Sequence, residues 1–304
     1  MNTNLSVIIV SFNTKDLLRD CIKSVYEDIR NLSYEIIVVD NASKDGSPDM
    51  IEEEFKGVKL KKNTQNMGFA KGNNQGMKMA SGEYLFLLNS DTILKDGAVE
   101  TLVKFMDQHP RAAGVGPKVL NFDGTLQSQG FCFPSVLLSL IILFRIPKFL
   151  SQEKLMKWFS KYYWDTDEVR RVDWISGCCI LIRKSAMDKM GSLSEDFFMY
   201  NEDEEWCFRA KKSNYEVWYV PTAEVTHLNQ SSPLPNRYDL GRVSTKLFYK
   251  KTGLLRGIVI CVIYILSNLI KLSRIALLPS ENNEWKTTRD KIITDLKLLR
   301  LLMR

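Results

Sequence analysis

Residues 63–91, NTQNMGFAKGNNQGMKMASGEYLFLLNSD, decide how this chain is read. They begin as a loop rich in Asn and Gly, continue as a helix and close with an apolar strand over 84–88, which stops abruptly at Asn89-Ser90-Asp91. In open α/β sheets ligands sit outside the carboxyl ends of the strands. A lone acid directly after such a strand stands where a phosphate is held through a hard cation, and carboxylate oxygens suit Mg²⁺ or Mn²⁺.

The flanking sequence supports a sheet of this kind. Residues 5–10 form a continuous apolar run, and 15–26 place Leu18, Cys21, Ile22 and Val25 at helical spacing. A second apolar run over 35–39 ends at Asp40. Ser47 is expected as the N-cap of the next helix, with Pro48 at its first position. A short strand over 58–60, the strand at 84–88 and a helix over 97–109 continue the pattern. Repeated βα units with short connections predict a doubly wound, mostly parallel α/β sheet. Further strands are expected at 179–182 and 216–220, with a short helix at 203–212 between them.

The 304 residues are 45% hydrophobic and carry a formal charge of +6, enough to bury one large core or two smaller ones. The six cysteines show no CxxC spacing, so they read as reduced thiols rather than as a zinc or disulfide framework. The N-terminal apolar run lacks a basic region ahead of it and reads as a strand rather than a signal peptide. No GxGxxG follows the first strand, which argues against a nicotinamide or flavin enzyme, and no GxxxxGK[ST] supports a P-loop NTPase.

Two segments lie outside the βα pattern. Residues 131–165 form an apolar insert interrupted by Pro134 and Pro147. From 236 onward basic residues dominate, around the run GIVICVIYILSNLI between Arg256 and Lys271. That run is shorter than the roughly 20 residues a spanning helix needs. Its basic flanks predict a helix lying on a membrane surface. Residues 285–304 read as a basic amphipathic helix. Two parts are therefore expected, 1–235 carrying the insert and 236–304 as a helical extension.

The remaining chemistry lies in side chains with two readings each. Asp40 either accepts a hydrogen bond from a nucleotide or caps a turn. A lone histidine such as His227 is usually structural. The run Glu202-Asp203-Glu204-Glu205 concentrates four carboxylates, whose repulsion raises at least one pKa toward that of a general base. The N-terminus of the helix they open pulls the other way.

With these stretches in hand, the chain resembles the inverting glycosyltransferases of family 2, with the GT-A fold, and within them the rhamnosyltransferase-like branch. The resemblance rests on VSFNTKDLLRDCIKSV, EIIVVDNASKDGS, the 63–91 stretch and the segment from VDWISGCC to VTHLNQSS, in order through most of 6–232. It implies that Ser11, Asn13 and Asp40 line a nucleotide pocket, with Asp40 reading the base, and that Asn66, Gly68 and Asn74 shape the loop beside it. Asn89-Ser90-Asp91 stands where the family has its DxD motif, with Asn in place of the first acid. Asp91 and His227 are then the metal ligands, Trp174 and Gly177 the acceptor-side wall, and Asp203, with Glu202 beside it, the catalytic base.

The implied partners are a nucleotide-sugar donor, dTDP-L-rhamnose before a UDP-hexose, a lipid-linked saccharide acceptor and the cytoplasmic face of the cell membrane. A homo-oligomer is compatible with the chain. A nucleotidyltransferase would need a basic Gly-rich loop after the first strand, where SFNTKD offers only Lys15. A non-catalytic sugar-nucleotide-binding subunit would have little use for Asp203 and His227, and no nucleic-acid recognition module is present.

Overall fold

The computed structural model describes residues 4–127, 131–159, 161–162, 166–228, 237–275 and 283–303. These fall into two compact units, Met1–Phe131 with Thr166–Arg237 and Cys132–Asp165 with Tyr238–Arg304. The insert and the C-terminal extension, separate in sequence, belong to the same unit.

The first unit opens with β1 (Leu5–Ser11), α1 (Lys15–Asp28), β2 (Tyr34–Asp40), α2 (Ser47–Glu54), β3 (Lys59–Lys62), α3 (Phe69–Met79) and β4 (Tyr84–Asn89). It continues through β5 (Thr92–Leu94), α4 (Ala98–Gln108) and β6 (Ala112–Leu120). The second unit holds α5 (Val136–Leu143) and α6 (Gln152–Trp158), before the chain returns to the first with β7 (Arg170–Val172), β8 (Cys179–Arg183), α7 (Lys184–Met190), α8 (Glu202–Lys212) and β9 (Glu216–His227). Then follow α9 (Arg237–Thr252), α10 (Leu254–Ile275) and α11 (Asn283–Leu302).

The strands form one sheet in the order β3-β2-β1-β4-β8-β6-β9-β5, with β7 also paired to β9. β1, β2, β3, β4, β6 and β9 run one way, and β5, β7 and β8 the other. Both faces are covered, which is why β1, β2 and β4 read as continuous apolar runs rather than alternating ones. Val7, Ile9, Ile36, Val38, Phe86 and Leu88 pack in one core with Leu18 and Ile22 of α1, Met50 and Ile51 of α2 and Val99 and Leu102 of α4. Each such buried aliphatic side chain stabilises the fold by about 1.5–3 kcal/mol.

α3 meets the sheet closely because of two glycines one turn apart. A Cβ at Gly72 would come within 2.9 Å of Val10 Cγ1, and one at Gly76 within 2.5 Å of Ile8 Cγ2. The helix of the 63–91 stretch is thus held against β1 by the residues that look least helical in its sequence.

Ser47 departs from the expected cap. Gly46, at φ +83, is the N-cap of α2, and Ser47 is already helical with its hydroxyl donating to Asp45 Oδ1 at 2.6 Å. The left-handed turn that Gly46 supplies, together with the Asp45 acceptor, removes the need for a serine cap.

Within the second unit, α10 packs against α5 and α11. Its 22 residues run past the ends of the apolar run counted in the sequence. Over Leu254–Ser273 it is long and apolar enough to cross a membrane, by length and composition.

Candidate active site

The register of the sheet sets the site. Ser11 pairs with Asp40 and Val10 with Asn89, so β1, β2 and β4 end level. β8 runs antiparallel to β4 with Cys179 opposite Leu88, which brings Gly177 and Cys178 to the same edge. Thr92 pairs with His227, so Asp91 and His227, 136 residues apart, become neighbours. A cavity of about 440 Å³ opens there, lined by Asn66, Gly68, Asn89, Ser90, Asp91, Trp174, Gly177, Glu202, Asp203 and His227 among others.

Asp203 opens α8 and is held by two backbone amides. Gly177 N donates to its Oδ2 at 2.6 Å and Glu204 N to its Oδ1 at 2.8 Å. It keeps some exposure toward the cavity, while the protein packs densely around the rest of it. Burial raises its pKa, and the two amides oppose that rise by favouring the anion.

Glu202 is buried, and its Oε2 has no hydrogen-bond partner among the described residues. Burial first, and the charge of Asp203 second, push its pKa well above the usual carboxylate range. Burial raises both carboxyls, and the environments differ in that Asp203 has two amide donors that favour its anion while desolvation and the neighbouring charge act on Glu202. The other two acids of the run have partners of their own. Glu204 accepts from Asn201 Nδ2 at 2.7 Å, and Glu205 pairs with Arg209 at 3.0 Å. Arg209 also donates to the carbonyls of Met190 and Ser192, so this part of α8 fastens the loop ahead of it.

The backbone leading into the pair is strained. Tyr200 and Asn201 are consecutive residues at φ +73 and +65, conformations costing about 1–3 kcal/mol each and concentrated at functional sites. Both line the cavity.

Across the cavity, His227 Nδ1 lies 2.8 Å from Gln127 Oε1. That oxygen only accepts, so Nδ1 carries a proton, and in the neutral ring Nε2 presents its lone pair, the tautomer a metal ligand uses. Nε2 lies 3.3 Å from Asn89 Nδ2 and 3.1 Å from Asp91 Oδ1. An imidazole lone pair facing a carboxylate oxygen calls for a cation or a second proton between them. Among the described residues no group of three or more His, Cys, Asp and Glu is placed to hold a metal. Two protein ligands fit a cation that completes its shell from a diphosphate and water.

The nucleotide-side residues divide. Asp40 is buried with Oδ2 accepting from Ser43 N at 2.9 Å, and its Oδ1 has no partner among the described residues. Asn66 Oδ1 accepts from Gly68 N at 2.9 Å, and Gly68 sits at φ +81 with Phe198 O only 2.3 Å from where a Cβ would be. Asp40, Ser11 and Asn13 do not line the cavity and lie behind it. Ser11 Oγ lies 3.0 Å from Thr14 Oγ1, which donates to Ser90 Oγ, while Asn13 accepts from Lys44 N and donates through its backbone to Ser43 Oγ. Asn74 is likewise removed from the cavity. Its amide spans Leu193 N and O and so braces the loop before α8.

The sequence reading omitted Gln127, Asn41 and Thr14. Asn41 donates to Gly68 O at 3.1 Å and accepts from Asn63 Nδ2 at 2.9 Å, joining the end of β2 to the 63–68 loop. Its place directly after Asp40 was the one available signal. Gln127 had none, since its partner lies 100 residues away.

With this geometry in place, comparison with known proteins is decisive. The model of glycosyl transferase family 2 matches residues 6–191, more than half of the chain. The chain belongs to glycosyl transferase family 2. This family 2 chain is 28% identical over 205 residues to the N-acetylglucosaminyl-diphospho-decaprenol L-rhamnosyltransferase of Mycobacterium tuberculosis, a match covering 63% of this chain and 66% of that protein, just under two thirds of its length. It is 25% identical over 231 residues to the low-salt glycan biosynthesis hexosyltransferase Agl10 of Haloferax volcanii, covering 75% of this chain and 68% of the relative. Its fold matches the mannosyltransferase PcManGT of Pyrobaculum calidifontis, solved with GDP-Man and Mn²⁺, at a TM-score of 0.54 and 13% identity, over 100% of this chain and 74% of the other. The family 2 chain has the mixed α/β GT-A fold, with a central, mostly parallel sheet.

Proposed function

We propose that the chain is an inverting glycosyltransferase that moves a sugar from a nucleoside diphosphate to a hydroxyl of a lipid-linked saccharide in cell-surface polysaccharide synthesis. L-Rhamnose from dTDP-L-rhamnose is the favoured donor. The observation that carries this reading is the pairing, across one cavity, of the amide-held Asp203 with the Asp91–His227 couple. One side suits a base and the other a departing diphosphate.

In this reading Asp203 takes the proton of the acceptor hydroxyl as that oxygen attacks the anomeric carbon. The bond to the diphosphate breaks in the same displacement, so the anomeric centre inverts and no covalent sugar intermediate forms. The Gly177 and Glu204 amides favour the anion of Asp203 against the upward pull of burial and orient its two oxygens. Glu202, protonated, offers a neutral hydrogen-bond donor beside it. Asp91 and His227 would hold a divalent cation, with Asn89 beside them. A bound Mg²⁺ or Mn²⁺ supplies neutralisation of the charge that builds on the diphosphate. Asp40, whose buried Oδ1 has no partner among the described residues, would accept from a base N–H once the nucleotide reaches it, with Asn66 and Gly68 shaping that end and Ser11, Asn13 and Asn74 bracing it from behind. Trp174 and Gly177 form the acceptor wall.

A UDP-hexose donor is the second reading, favoured by the likeness to a hexosyltransferase. The lipid-linked acceptor follows the M. tuberculosis relative, whose name specifies a diphospho-decaprenol saccharide. A lipid-linked acceptor of this kind is consistent with work at the cytoplasmic face of a membrane. The test is transfer from dTDP-L-rhamnose or UDP-hexoses to an N-acetylglucosaminyl-diphospho-polyprenol with Mg²⁺ or Mn²⁺, and NMR of the new linkage. Inverted product from dTDP-L-rhamnose is expected. Product from a UDP-sugar alone moves the donor, and a retained configuration or no transfer from any donor overturns the proposal.

A further inference from the structure

The second unit contains a helix whose length and composition suit a membrane span, yet its packing suits a different placement. At about 1.5 Å per residue α10 is about 33 Å long, and the stretch Leu254–Ser273 has a mean hydropathy of 1.9. Two observations argue against crossing.

The first is what α10 is paired with. α11 lies against it, and Asn268 of α10 donates to Asp295 of α11 at 3.2 Å. α11 carries Lys286, Arg289, Asp290, Lys291, Asp295, Lys297 and Arg300 along its length. A crossing α10 would carry this helix into hydrocarbon with it, where each charged side chain is costly.

The second is how the exposure of α10 is divided. Leu255, Val259, Val262, Leu266 and Leu269 are exposed, at intervals of three or four, and therefore share one face. Ile260, Cys261, Ile263 and Ile265 are buried. The helix is apolar outward along one stripe, and its buried residues lie off that stripe, with the remaining positions mostly half-buried. That is the pattern of a helix lying in an interface, since a lone spanning helix meets lipid all round. The insert adds exposed apolar side chains to the same unit at Leu137, Phe144, Phe149 and Trp158.

Charge names the occupant of this face. α9 carries Arg242, Lys246, Lys250 and Lys251 against the single acid Asp239, and Lys271 stands near the far end of α10. Cationic residues at both ends of an apolar stripe complement an anionic phospholipid surface. A second copy of this chain would bring the same positive charge to the contact.

We propose that the insert and the C-terminal extension form one monotopic anchor in which α10 lies in the plane of an anionic bilayer, its Leu255–Leu269 stripe in the acyl boundary and both ends on the same side. The proposal deepens the membrane part of the function above and is independent of the sugar transferred.

The full chain, with a C-terminal epitope, is tested in two ways. Co-sedimentation uses phosphatidylglycerol and phosphatidylcholine vesicles, comparing wild type with Val262→Glu plus Leu266→Glu. Trypsin treatment uses inverted membrane vesicles from expressing cells. Expected are binding that needs phosphatidylglycerol, a fall of roughly tenfold or more in the variant with unchanged circular dichroism, and loss of the epitope to trypsin without detergent. A C-terminal fragment protected until detergent is added means that α10 crosses, and overturns the proposal. So does wild-type protein that stays off the vesicles, or that dimerises through this face with the variant monomeric. Neither readout depends on nucleotide binding, so a failed transfer assay leaves this test standing.

Discussion

Asp203 and Glu202 are adjacent carboxylic acids, both with a pKa raised by burial, and they differ in their partners. Two amides hold Asp203, whereas Glu202 has a buried oxygen without a partner among the described residues. Asp203→Asn keeps the shape but offers no basic lone pair to the acceptor. Turnover should fall by about 10²–10⁴, with nucleoside diphosphate affinity within about twofold of wild type by calorimetry. A variant retaining a tenth of the wild-type rate would remove Asp203 from the role. Glu202 makes a different prediction, because its pKa is raised by burial and by the Asp203 charge. A carboxyl that binds its proton more tightly folded than unfolded stabilises fully below the unfolded value of about 4.3 and loses that contribution as pH climbs to the folded value. Glu202→Gln removes the loss. The melting temperature of the variant minus that of wild type should therefore grow more positive from about pH 4 to about pH 8. A difference flat with pH would mean that Glu202 is ionised in the native state. At Gly68 the argument is steric, since its φ of +81 and a Cβ position 2.3 Å from Phe198 O leave no room for a side chain. Gly68→Ala should lower the melting temperature by several degrees, about 1–3 kcal/mol of strain.

At the scale of elements, strand pairing assembles what the sequence keeps apart. The β5–β9 register sets Asp91 beside His227, and the turn after β6 supplies Gln127 to orient the imidazole. Gln127→Leu preserves the size of the side chain and removes the acceptor for Nδ1–H. Mn²⁺ affinity in the presence of a nucleoside diphosphate should drop about 10–100-fold by electron paramagnetic resonance titration, with nucleotide binding in the absence of metal unaltered. The same contrast explains what was legible. β1, β2 and β4 announced themselves as apolar runs because both faces are covered, and Asp40 and Asp91 followed because they end those runs. β5 and β7 are three residues each, too short for any period to register. β6 was hidden by Gly114, Gly116 and Pro117, residues that weaken a strand on paper. In the fold Gly116 is required, because Ile175 Cγ2 lies 2.3 Å from its absent Cβ. Asp203 was legible through a local motif. The brace formed by Asn74 was not, because its partners, Leu193 and Glu195, lie about 120 residues away in an unpatterned loop.

For the molecule as a whole, the protein's own share of the proposed cation site makes a thermodynamic prediction. Asp91 and His227 are the side chains facing each other there, and no cluster of three or more acidic, His or Cys ligands exists among the described residues. Such a half-built site should bind a divalent cation weakly by itself, and a diphosphate without a cation would meet the carboxylate of Asp91 unshielded. Together each supplies what the other lacks, so their effects on stability should exceed the sum of the separate ones. A ligand at a hundred times its dissociation constant stabilises by about 2.7 kcal/mol, which corresponds to a rise of roughly 5–10 °C for a unit of this size. The expected pattern in thermal denaturation is a small shift with Mn²⁺ alone, a small shift with dTDP alone and a rise of that order with both, reversed by a chelator. The two-unit architecture adds a condition, because the ligands should move only the transition of Met1–Phe131 with Thr166–Arg237. Asp91→Asn should make the shifts additive, since the cation then loses the charged ligand that it shares with the diphosphate. Additive shifts in the wild type would mean that the protein holds the cation through a fuller set of its own ligands, or that the nucleotide binds without one.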